Sequence, residues 1–166
     1  MELKERPKIK VERSFIQNLL DTIAIISLGL IIIYLLLQWS NLPAHVPTHY
    51  NLSGEPNAWG SKGMIWVPLI IGIVMWIGLA ILERFPHTYN YMNLTKDNVE
   101  KQYKNAQLLI NFLKNEIGIY FAYSAWNDVQ IANGIVTPLS SWSGLIFIII
   151  LFSTLIFFII RSIKIK

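Results

Sequence analysis

Four apolar runs, separated by polar and turn-forming stretches, organise this chain. They extend from about Leu19 to Trp39, Met64 to Leu82, Leu108 to Trp126 and Trp142 to Ile160. Each is roughly 19–21 residues long, which at ~1.5 Å per helical residue matches a ~30 Å hydrocarbon core. The pattern predicts an all-α integral membrane protein with four transmembrane helices, one bundle spanning residues 1–166. The third run departs from the others, because Asn111, Lys114, Asn115 and Glu116 fall in its first half. Its apolar positions Val99, Tyr103, Ala106, Ile110, Leu113 and Ile117 recur at helical spacing, while Lys104, Asn111, Asn115 and Gly118 share another face.

Composition strengthens the membrane reading. Hydrophobic residues make up 54% of the 166 and charged residues 14%, against about a quarter charged in a soluble domain. There is no cysteine, which excludes disulfides, thiolate metal sites and cysteine nucleophiles. The net charge of +4 is distributed by topology rather than gathered for nucleic acid. Lys4, Arg6, Lys8, Lys10 and Arg13 precede the first run; Arg84, Lys96, Lys101 and Lys104 lie between the second and third; Arg161, Lys164 and Lys166 follow the fourth. The other two connections hold only Lys62. Basic residues concentrate in cytoplasmic loops, so both termini are predicted to be cytoplasmic and the segments 40–63 and 127–141 extracytoplasmic. Trp39, Trp66, Trp126 and Trp142 fall at the outer ends of the runs, as an aromatic belt requires. The first run exceeds the ~7–15 apolar residues of a signal peptide and lacks a small-residue cleavage site, which predicts a retained anchor.

The connection 42–62 carries the densest chemistry. Pro43 and Pro47 bias Leu42 and Val46 to extended backbone, so the chain is expected to leave the membrane as a stiff strand. Ser53, Gly54, Glu55, Pro56 and Asn57 then supply a turn. His45 and His49 have the i, i+4 spacing of a helical zinc pair, but Pro47 between them disfavours helix and no His-Glu-x-x-His glutamate is present. They are weak metal candidates, with Glu55 as a conceivable third ligand, and no cofactor is predicted.

The order Leu42-Pro43, Val46-Pro47, His49, then Ser53-Gly54-Glu55-Pro56, Trp59-Gly60-Ser61-Lys62 resembles a bacterial membrane family of unknown function, the DUF1648 type. That module also forms the N-terminal part of Sdp-type immunity proteins. The resemblance covers about residues 25–72 and carries over Pro43, Pro47, His49, Gly54 and Lys62, with Trp59 beside them; His45 is unmatched. It implies a bacterial cell membrane, a multi-pass topology, and resistance to or sensing of a secreted peptide toxin. Sdp-type proteins are longer and bear a Gly-x-Arg-Thr-Pro-Trp motif in a second module. Here Gly134 to Leu139 lacks the Arg and the Trp, so the resemblance reaches the membrane module alone.

Two functions follow from the sequence ahead of a third, a membrane hydrolase using His45, His49 and Glu55, which fares worst because catalytic metal sites need three protein ligands and an organised second shell. One is a recognition, immunity or sensing module whose outer loop engages a secreted peptide, a membrane-active agent or another membrane protein. The other is a small transporter or ion-coupled protein using Asn111, Lys114, Asn115 and Glu116, since ionisable residues within a span mark functional sites. For Lys114 the competing expectation is a stem that snorkels to the cytoplasmic interface. No nucleophile–base pair and no phosphate-binding loop is evident, so neither catalysis nor nucleotide or nucleic-acid binding is expected.

Overall fold

The computed structural model describes residues 6–51, 53–135 and 142–166. Helix α1 (Phe15–Gln38) leads to an antiparallel hairpin of β1 (His45–Tyr50) and β2 (Pro56–Ser61). A short 3₁₀ turn, Lys62–Ile65, passes into α2 (Trp66–Leu82); a second, Pro86–Thr88, precedes α3 (Val99–Ala132), and α4 (Ser143–Lys164) follows. The protein is thus mostly helical, and the all-α expectation is corrected at one place: the 42–62 connection is a β-hairpin. The helical bounds also shift. The helix expected over 108–126 runs from Val99 to Ala132, so most of the first half of the expected 127–141 loop is helix.

Three helical segments are long and apolar enough to cross a membrane: Phe15–Gln38, Lys62–Leu82 and Ser143–Lys164. They turn large side chains outward, among them Ile26, Leu30 and Ile33 of α1, Val74 and Ile77 of α2, and Ile149, Phe152 and Ile156 of α4. Helix α3 is not among them, and its packing explains why. It contacts α1, α2 and α4, and it buries Gln102, Asn105, Asn111, Lys114, Asn115, Asn127 and Asp128 along with its apolar residues. The polar face inferred from periodicity is therefore the inward one. A helix shielded by three apolar neighbours can carry hydrogen-bonding groups that lipid would penalise by several kcal/mol each.

Close approach between the central helices rests on two glycines. A Cβ at Gly72 of α2 would stand 2.5 Å from the Phe121 Cβ, and one at Gly118 of α3 would stand 2.9 Å from the Trp76 ring. Around Gly29 and Gly78 nothing lies within 4 Å, so small residues there serve no contact within the described chain. At the other helix pair, side-chain amides of α3 add hydrogen bonds to carbonyls in the C-terminal half of α4. The Asn105 amide donates to the Phe158 carbonyl at 3.0 Å and the Gln102 amide to the Ser162 carbonyl at 3.0 Å.

Candidate functional site

The hairpin is fastened at its base and open along its strands. Val46 is fully buried and joins Leu35, Leu42, Ile65, Leu69, Ala125 and Val129 in the main apolar cluster. Pro47 is buried beside it, in the pairing His45 to Ser61, Val46 to Gly60 and Pro47 to Trp59. The register then shifts on either side of His49, as a proline that cannot donate to the ladder favours. The Tyr50 hydroxyl donates to Asp128 Oδ1 of α3 at 2.5 Å, tying the far end of β1 to the bundle. Burial raises the Asp128 carboxyl to about 6, against the opposing effect of the Tyr50 bond, and burial together with Asp128 pushes the Tyr50 phenol well above its ordinary range. Asp128 lies beyond Trp126, where the apolar stretch of α3 ends.

Each matched motif residue acquires a physical role. Lys62 donates to the carbonyl of Trp39 at 3.1 Å and its Nζ stands 4.5 Å from the centre of the Trp39 ring. Trp39 is the C-cap of α1, so this cation meets a helix C-terminus, where positive charge is favoured. Gly54 has φ of 75°, a backbone that side chains disfavour. Pro43 is exposed where the chain leaves α1. His49 Nδ1 lies 2.5 Å from Asn57 Oδ1 across the strands, and Trp59 is 53% exposed. Asn51 organises the turn: its side-chain oxygen accepts from the backbone N–H of Ser53 and of Glu55, both at 2.9 Å. An Asn two residues before Ser-Gly is the sequence signal for such an Asx turn. His45 is exposed in β1, and among the described residues no three His, Asp or Glu side chains gather as a metal set.

At the opposite end of the bundle lies a buried ion network. Lys114 is 1% exposed, with Nζ 2.5 Å from Glu83 Oε2 and 3.0 Å from Asp21 Oδ1. Its ammonium also lies 5.0 Å from the centre of the Trp76 ring. The Asn111 and Asn115 amides donate to Asp21 Oδ1 at 2.9 and 2.8 Å, and the Trp76 indole donates to Asn115 Oδ1 at 2.9 Å. Gln17 donates to Glu83 Oε1 at 3.1 Å, and Arg13 pairs with both Asp21 and Glu83. Two cations thus meet two carboxylates contributed by the N-terminal segment, α1, α2 and α3. The snorkelling expected of Lys114 is overturned: burial and two carboxylate partners hold the ammonium inside.

The structure brings Asn111, Lys114 and Asn115 together and sets Glu116 apart. Glu116 faces α4, where its Oε1 accepts from the Thr154 hydroxyl at 2.6 Å. Sequence reasoning missed Asp21, Glu83, Gln17 and Arg13. Asp21 stood inside the first apolar run and Glu83 directly at the end of the second, so acidic residues at span boundaries opposite an intramembrane lysine were the available signal.

Comparison with known proteins locates the first of these two regions. A protein from Archaeoglobus fulgidus, described as an uncharacterized protein, is 32% identical over 90 residues, covering 47% of this chain and 49% of its own length. The chain therefore spans about half the length of that curated relative. No solved structure matches the chain. The Gly-Ile-Val-Thr-Pro-Leu segment considered against the second Sdp-type module lies, from Val136 onward, outside the described residues, as do Lys4 and Leu52. The stretch from the middle of α1 through the hairpin to the first half of α2, residues 26–73, matches the domain of unknown function DUF1648.

Proposed function

We propose that this is a multi-pass membrane protein that presents the hairpin of its DUF1648 domain as a recognition surface for a secreted peptide or another membrane-active agent, giving immunity or sensing. In this reading all four helices cross the bilayer, with α3 sheltered by the other three. Both termini are cytoplasmic and the hairpin is outside. The arrangement of charge supports it: Arg13, Arg84, Lys104 and Arg161 belong to the end of the bundle opposite the hairpin, and basic residues favour the cytoplasmic side.

One observation carries the proposal. The hairpin is held at its base by Val46 and by Lys62 on the end of α1, and near its turn by the Tyr50–Asp128 bond, while Trp59, His49 and Asn57 remain exposed. A preorganised surface loses less entropy on binding than a floppy connector, and an exposed aromatic beside polar groups suits an amphipathic ligand. The transport alternative draws less support. In the ion network each charged side chain has an oppositely charged partner, whereas a relay or carrier site needs a group able to exchange its partner.

The test is survival of a sensitive bacterial host expressing the chain, challenged with a panel of secreted membrane-active peptides. Protection is expected from the wild type and is expected to be lost in a Trp59→Ala/His49→Ala variant at equal membrane level. Protection that survives this double variant but vanishes on disruption of Asp21 or Glu83 at equal membrane level would refute the hairpin reading.

A further inference from the structure

Between α1 and α4, over α3, runs an apolar groove containing a cavity of about 500 Å³. Leu20, Phe112, Ile119, Tyr120, Phe147 and Ile150 form its walls, and the rings of Tyr120 and Phe147 stack with centroids 4.0 Å apart. A second cavity of about 550 Å³ shares Ile119 and continues past Tyr34 to Trp126. From Phe112 to Trp126 the floor extends about 21 Å along α3.

Into this apolar lining projects one carboxyl group, that of Glu116. Its Oε1 accepts the Thr154 hydroxyl, but its Oε2 is buried and receives no hydrogen bond from the described residues. The neighbouring cation Lys114 is committed elsewhere, to Asp21 and Glu83. A carboxyl oxygen withdrawn from water without a donor is costly, and far more so when ionised. An occupant of the groove that brings a donor to this carboxyl would relieve that cost. A hydrated metal ion is a poor match, since hard cations take six or more oxygen ligands and these walls are mostly hydrocarbon and aromatic, with Asn115 and Ser143 adding one oxygen-bearing side chain each. An uncharged alkyl chain would fill the volume but leave Oε2 without a donor. A hydrophobic amine supplies both parts.

We propose that this groove binds an alkyl amine, with its chain along the cavity and its ammonium donating to the Glu116 carboxyl, which turns its Oε2 toward the groove on binding. The proposal stands on the groove alone and does not depend on the hairpin's role. The experiment uses the full chain in nanodiscs of zwitterionic phosphatidylcholine, titrated with radiolabelled dodecylamine and, separately, with dodecanol. Saturable dodecylamine binding is expected, at least tenfold tighter than dodecanol after subtraction of binding to empty discs. Glu116→Gln, which keeps the shape and the Thr154 bond, is expected to weaken the amine at least tenfold and leave the alcohol unchanged. Ile119→Trp, which narrows the groove where the two cavities meet, is expected to weaken both at least tenfold. Equal binding of amine and alcohol by the wild type, or amine binding unaffected by Glu116→Gln or by Ile119→Trp, would overturn the proposal. If Glu116→Gln does not reach the membrane, the amine–alcohol comparison and Ile119→Trp still decide it.

Discussion

Replacing Lys114 by methionine separates a structural ion network from a surface lysine. Methionine keeps the length of the apolar stem and removes the ammonium, and with it the cation–π contact to Trp76. The group removed is 1% exposed and stands 2.5 Å from Glu83 and 3.0 Å from Asp21. Its loss leaves two carboxylates sharing Arg13, whose side chain is 43% exposed and 3.5 Å from Glu83. Breaking a buried pair by removing one partner costs about 3–5 kcal/mol, because the remaining charge stays buried. Residual pairing to Arg13 places the expected loss near the lower end, about 3 kcal/mol. Adding Glu83→Gln removes the stranded charge, so the double variant should be less damaged than the sum of the single ones, with a coupling of about 2 kcal/mol. The assay is reversible unfolding in mixed detergent micelles, followed by tryptophan fluorescence across the four-member cycle. A Lys114→Met loss below about 0.5 kcal/mol with no coupling to Glu83 would mean that the ammonium reaches water, as a snorkelling lysine does, and would refute the network.

Three further outcomes follow from the geometry. The Asp128 carboxyl is raised from 3.8 to about 6, so the folded state keeps a proton that the unfolded chain has already released. Its contribution is therefore fully present below about pH 4, declines as the pH rises through 6, and amounts to about 3 kcal/mol in total; Asp128→Asn should flatten the melting temperature between pH 4 and 7 relative to wild type. Gly72→Val drives a side chain into Phe121 and should cost about 1–3 kcal/mol, whereas Gly78→Ala meets nothing and should leave stability unchanged or slightly raised in the same unfolding assay. Because the chain has no cysteine, Ser53→Cys and Lys96→Cys each provide a single thiol; an impermeant maleimide applied to intact cells should label the first and spare the second, and the reverse would invert the proposed topology.

Much of this architecture is legible in the sequence, and the parts that are not share a cause. The three apolar helices announce themselves because nearly every residue must tolerate lipid, and α1, α2 and α4 all begin or end within a few residues of the expected bounds. The hairpin was half visible. Pro43 and Pro47 marked an extended strand and Ser53 to Asn57 marked a turn, but a returning strand as polar and small as Pro-Asn-Ala-Trp-Gly-Ser carries no alternating pattern. It pairs because Asn51 closes the turn and Val46 anchors the first strand, and both are tertiary or turn-level facts. Helix α3 defeats hydropathy for the opposite reason. Its neighbours supply the apolar surface, so its own residues are free to be amides and charges, and composition alone cannot say that Lys114 points inward.

That freedom also separates the two intramembrane polar positions that sequence grouped together. Lys114 and Glu116 are two residues apart, which turns them to different sides of α3, and each meets a different kind of neighbour. Towards α1 and α2, Lys114 meets Asp21 and Glu83 beside Asn111 and Asn115, an assembly in which Arg13 completes the charge balance. Networks of that kind fix helix register: shifting α3 by one turn relative to α1 would separate several donors from Asp21 at once. Towards α4, Glu116 meets one hydroxyl and a hydrocarbon-walled cavity. A satisfied polar group orients a fold, whereas an unsatisfied one facing a cavity favours a ligand that brings the missing donor. The same helix thus carries its register on one side and its most ligand-like vacancy in hydrogen bonding on the other, and the hairpin, fixed to that helix through Asp128, is mechanically joined to both.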